Sequence, residues 1–207
     1  MDKARLETFS DGVFAIAITL LVLTITQPED YDQLGRELLV RWPALAAYGV
    51  SFMVIGIMWL NHHSVFLRFS RVDRPLFYLN LLLLMTVVLI PYPTGVFGEA
   101  LQQDVGEKQA ALFYSCVMTA NAVCWGALWW WASSGRRLLD DEFPEAERRP
   151  ATIAFTIGSL LYGATIVIAL VNAVACLVAH ALLAIYYALD PLARRPVSGE
   201  RDDLADP

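Results

Sequence analysis

Arg5, Ser10 and Asp11 bring a guanidinium, a hydroxyl and a carboxylate to the threshold of an apolar run, Val13 to Thr26. No soluble segment separates the two. A carboxylate at or inside a hydrocarbon-spanning helix costs a few kcal/mol and has to find a partner, so such a group is a functional candidate from the outset. It can coordinate an ion, carry a proton with a neighbouring base, or tie helices together. In the last role each contact is worth about 1 kcal/mol.

Partners of the right type recur in two other places. Trp59 is followed by Asn61, His62, His63 and Phe66, and Asn80 and Arg74 stand near the start of a later apolar run. A network of Arg5, Ser10, Asp11, one of His62 and His63, Asn61 and Asn80 is the expected arrangement. A His beside Asp11 would make that network sensitive to pH. A metal centre is not expected. His62 and His63 are adjacent and point about 100° apart on a helix, and no His-x-x-x-His or cysteine cluster occurs. Cys116, Cys124 and Cys176 lie inside apolar runs and read as small packing residues, and His180 as a packed, hydrogen-bonded one. No phosphate-binding loop, nucleophile elbow or paired carboxylates appear, so enzyme chemistry and a cofactor are not expected.

The elements that must hold these groups are membrane helices. The 207 residues are 57% hydrophobic and 17% charged, with a mean hydropathy of +0.50. That composition indicates an all-α integral membrane protein. The net charge of −6 argues against a nucleic-acid partner. Apolar blocks cover about 10–26, 44–66, 76–96 and 110–132. The last, about 152–189, is too long for one span of about 20 residues and should fold as two, 152–170 and 173–189, turning near Asn172. Residues 1–192 are thus expected to form one six-span domain, and 193–207 a charged C-terminal tail. Lys3 and Arg5, the turn from Arg68 to Arg74, the loop from Arg136 to Arg149, and Arg194 and Arg195 then share one side. The positive-inside rule places both termini in the cytoplasm of a multi-pass protein of the cell (inner) membrane.

Residues three, four and seven apart share a helix face. From Gly12 that face carries Ile16, Thr19, Leu20 and Leu23. Asp11 lies about 140° round from Ile16. The carboxylate and the apolar stripe must therefore look in different directions.

The stretch Arg5-x-x-x-Phe9-Ser10-Asp11, running into Gly12-Val-Phe-Ala-Ile16-Ala-Ile-Thr19-Leu20-Leu-Val-Leu23, resembles the first-helix signature of prokaryotic members of the transmembrane protein 175 family. The segments Trp59…Phe66 and Asn80…Pro91-Tyr-Pro93-Thr94 are similar to that family's second and third spans. The resemblance implies a potassium-selective channel assembled as a homotetramer, with six spans per subunit and the first helix lining the pore. It implies a hydrophobic gate at Ile16, Leu20 and Leu23, with Thr19 as the polar layer linked to K+ preference. Arg5, Ser10, Asp11, His62 or His63, and Asn80 become the inter-helix lock that orients the pore helix. No Thr-Val-Gly-Tyr-Gly filter loop is present in this chain either. An apolar ring formed by four copies excludes water and gates by dewetting. The rival expectation from another class is a proton-coupled secondary transporter that uses Asp11 and a His. Clear inverted repeats, the usual mark of such carriers, are not found. A small membrane protein without transport is a third.

Overall fold

The computed structural model describes residues 2–28 and 30–189. Residues 193–207, expected to form the charged tail, lie outside the described residues. Eight helices follow in chain order: α1 (Lys3–Leu20), α2 (Leu34–Val40), α3 (Trp42–Phe66), α4 (Arg74–Leu89), α5 (Pro91–Gln103), α6 (Glu107–Ser133), α7 (Glu145–Val171) and α8 (Ala173–Ala188). A 3-10 turn over Leu21–Thr24 prolongs α1. No named strand occurs among the described residues. Five helical stretches are long and apolar enough to cross a membrane: Lys3–Thr24, Trp42–Phe66, Arg74–Gln103, Glu107–Arg136 and Glu145–Val171. A shorter apolar helix, α8, has 16 residues.

Helix starts do not simply follow hydropathy: α1, α4 and α8 each begin at a side-chain cap. The Asp2 carboxylate accepts from the Ala4 N–H and starts α1 about two turns before the apolar run. Asp73 caps α4 through the Leu76 N–H at 2.9 Å. Asn172 stands between α7 and α8 and accepts from the Ala175 N–H at 2.8 Å. Pro91 and Pro93 supply no N–H, and α4 gives way to α5 at Ile90. The third span is therefore a jointed rod of 30 residues.

α6 forms the axis of the bundle. It packs against α4, α5, α7 and α8, while α1 leans on α3 and α4 and its 3-10 turn on α5. Half of the most apolar stretch of α6 is buried, against 28% for α1 and 22% for α7. Those two helices therefore keep most of their apolar surface facing outward. One apolar core joins Phe14, Ile55, Val87, Phe97 and Met118. A second, at the other end, joins Leu6, Phe66, Phe69, Trp125 and Trp129. The loop before α7 closes this second core with Leu138, Leu139 and Phe143. Its backbone pairs with the α3–α4 turn through Ser70 N–H to Leu138 O and Asp140 N–H to Arg68 O, both 2.9 Å.

α5 meets α3 without room for a side chain at Gly98, where an added Cβ would stand 2.9 Å from the Ala44 Cα. Gly98→Ala is expected to cost about 1–3 kcal/mol by overpacking, read as a lower melting temperature in detergent. Gly49→Ala, where nothing lies within 4 Å, should leave melting unchanged.

Candidate channel-forming helix and its polar brace

α1 buries one face and leaves the opposite one bare. Leu6, Ser10, Phe14, Ala17 and Leu21, spaced three or four apart, are all buried. On the far side Ile16 is 58% exposed, Leu20 38% and Leu23 76%, with Gly12 and Thr19 also exposed. The Thr19 hydroxyl donates back into its own helix, 2.9 Å from Ile16 O and 3.0 Å from Ala15 O. Its oxygen keeps lone pairs for whatever occupies that face. The stripe expected from spacing is thus a mostly apolar surface that the other described residues leave exposed, Leu20 least so.

Behind it, three helices are tied by a chain of hydrogen bonds in a dry interior. Ser10, His62 and Asn80 are each no more than 1% exposed. The Ser10 hydroxyl donates to Leu6 O at 2.9 Å, so its oxygen is left to accept from Asn80 Nδ2 at 3.0 Å. Asn80 Oδ1 then accepts from His62 Nε2 at 2.9 Å. The order of donors fixes the His62 proton on Nε2. Phe66 stacks on the imidazole with ring centres 4.2 Å apart, and the edges of Phe14 and Trp125 close its sides. Every polar atom of the Ser10–Asn80 contact is used, which is what burial in a medium without water requires.

Asp11 does not join this chain. It is exposed, and its Oδ1 accepts from the Trp59 indole Nε1 at 2.9 Å. Neighbours on a helix diverge by about 100°, so Ser10 and Asp11 cannot both face the core, and the same holds for His62 and His63. Arg5 and His63 are exposed and make no side-chain hydrogen bond or ion pair with the described residues. Asn61 is half-buried beside the network and Arg74 is exposed at the α4 start. Of the expected set, the structure brings together Ser10, His62 and Asn80 and leaves Arg5, Asp11 and His63 apart from them. His180 is buried, and its Nδ1 lies 2.9 Å from Cys176 O.

Further polar contacts lie outside the expected set. Tyr114 donates to Ser51 at 2.9 Å and Ser51 to Thr94 at 2.8 Å, because the Thr94 proton goes to Ile90 O. Asn121 donates to Thr86 Oγ1 at 2.8 Å. Arg41 holds the exit of α1 through Thr26. Each involves an isolated polar residue in or beside an apolar block, where a partner is obligatory. No group of three or more metal-ligating side chains occurs among the described residues.

Comparison with known proteins gives one consistent neighbourhood. The family profile "Endosomal/lysosomal potassium channel TMEM175" matches residues 5–91, which hold nearly all of α1, the whole of α3 and α4, and the Ser10–Asn80–His62 brace. A potassium channel of Streptomyces collinus is 48% identical over 188 residues, 90% of this chain and 91% of that one. The crystal structure of a lysosomal potassium-selective channel TMEM175 homolog from Chamaesiphon minutus superposes with a TM-score of 0.82 at 36% identity, over 90% of this chain and 96% of that chain. The chicken endosomal/lysosomal proton channel TMEM175 is 35% identical over 129 residues, 58% of this chain and 26% of that protein.

Proposed function

Since this chain belongs to the TMEM175 channel family, we propose that it conducts K+ across the cell membrane through a homotetrameric pore lined by α1. The observation that carries the reading is the bare Ile16, Thr19, Leu20 and Leu23 face, set opposite the buried face that anchors the helix. Residues 1–192 form the channel unit, with six spans and both termini in the cytoplasm. Four copies around an axis turn Ile16, Leu20 and Leu23 into stacked apolar rings. Water leaves such a constriction when it is narrow, and an ion cannot shed its hydration there without replacement ligands. Widening by tilt or rotation of α1 admits water, and the Thr19 oxygens then stand in for part of the ion's shell. With no carbonyl cage, K+ over Na+ preference is modest.

The brace keeps α1 in register. Ser10, Asn80 and His62 fix its inner end from behind, and Trp59 holds Asp11 on the flank, so the stripe has one orientation. The carrier alternative needs Asp11 and a His to exchange a proton directly. Asp11 hydrogen-bonds with Trp59 and His62 with Asn80, and His63 makes no side-chain hydrogen bond with the described residues, so neither His is hydrogen-bonded to Asp11. Single-channel recording from purified protein in a planar bilayer tests the assignment. Discrete K+ current steps without dependence on a proton gradient are expected, and saturating flux driven by that gradient would assign the carrier instead.

A further inference from the structure

The outer end of α1 is gripped by a buried cation. Arg41, the residue joining α2 to α3, is 7% exposed. Its Nη1 donates to Thr26 O at 3.1 Å and to the Thr26 hydroxyl oxygen, while its Nη2 donates to Glu37 Oε2 at 3.2 Å. The Thr26 hydroxyl donates in turn to Glu99 on α5 at 3.4 Å. Two residues earlier, Thr24 rests on α5 where an added Cβ on Gly95 would stand 3.1 Å from the Thr24 Cβ. The extended segment leaving α1 is therefore held from two sides, by a guanidinium fork and by a closely packed helix.

This arrangement is poor as a stabilising device. The buried Arg41 guanidinium loses hydration that Glu37, itself only half-buried, partly replaces. Here the loss is greater because Arg41 Nε is buried with no acceptor. An apolar side chain would fill the space at lower cost. What the fork does supply is geometry. One planar group addresses Thr26 and Glu37 from separate nitrogens, which a lysine ammonium cannot reproduce. Leu23, the outermost residue of the bare stripe, is only three residues from Thr26, a reach of at most about 10 Å.

We propose that Arg41 is a positioning residue for ion permeation: by holding Thr26 it sets where the Leu23 side chains stand at the outer end of the pore. The inference rests on the reading of α1 as the pore helix. The test measures K+ and Na+ flux into liposomes for wild type, Arg41→Gln, Arg41→Lys, Thr26→Val and Ile16→Ala, with melting and particle size followed in detergent. Arg41→Gln is expected to change the K+/Na+ flux ratio at least threefold while remaining folded, Arg41→Lys to recover part of the change, and Thr26→Val to shift the ratio in the same direction by about half as much. A folded Arg41→Gln with the wild-type ratio overturns the inference. If Arg41→Gln does not fold, an unaltered ratio in Thr26→Val overturns it. Should Ile16→Ala alter flux while the Arg41 and Thr26 variants do not, α1 remains the pore and Arg41 has no part in permeation. If none of the variants alters flux, the pore-helix reading fails and this inference falls with it.

Discussion

Replacing Ile16 or Leu20 with Asn is expected to raise K+ flux into liposomes about tenfold or more, with some loss of K+ over Na+ preference. In the proposed four-copy ring one substitution would place four amides at the narrowest level. An amide holds water where a branched alkyl group repels it, and the barrier to wetting is the barrier to conduction. A change of about 1.4 kcal/mol in that barrier is worth a factor of ten in rate, and four polar groups at one level exceed that easily. Both residues are exposed in the subunit, so the substitutions leave the bundle packing intact and the melting temperature should stay within a degree or two. Indifference of flux to both changes would put the pore elsewhere.

Asn80→Leu is expected to be the most damaging single change to the fold. Asn80 donates to Ser10 and accepts from His62 at full burial. Its loss leaves the His62 N–H without an acceptor in a dry interior, at about 1–3 kcal/mol, and removes the Asn80 donor to Ser10 Oγ. Together with the misfit of the bulkier, tetrahedral isobutyl group, about 2–4 kcal/mol is expected. At about 2–4 °C per kcal/mol, melting in detergent should fall by about 5 °C or more. Ser64→Ala is the comparison: that hydroxyl donates to its own helix, at Leu60 O, and the change should be silent. Because Ser10 anchors α1, residual folded Asn80→Leu protein should also leak at rest.

Much of the architecture is legible in hydropathy, and the reason is the solvent. Lipid leaves a helix little choice but to satisfy its own backbone, so apolar blocks mark helices directly. Helix ends are different, since they lie in or near water, where caps also act. Asp2 starts α1 well ahead of the apolar run, while α7 begins at Glu145 without a side-chain cap and carries Pro150 in its second turn. The polar brace is legible by residue type and only partly by partner. Weight falls on Asp11 in the sequence because a carboxylate is the costliest group to bury. In the fold the neighbouring Ser10 takes the buried place and Asp11 stays at the exposed flank with Trp59. Periodicity says that the two diverge and does not say which one faces inward. That is settled by Leu6, Phe14, Ala17 and Leu21, whose shared face includes Ser10. The contacts of Ser51 with Tyr114 and of Arg41 with Thr26 join residues 63 and 15 positions apart, and no local pattern encodes such pairings.

The joint at Ile90 splits the third span into two levers. The lower one, α4, carries Asn80 and clasps the start of α1; the upper one, α5, carries Gly95 and Glu99 and clasps its finish. Bending at the joint would therefore shift one end of α1 while the other stayed docked, so the helix would swing like a gatepost with one loose hinge. A stimulus acting on either side of the membrane would then need to move only half of the third span.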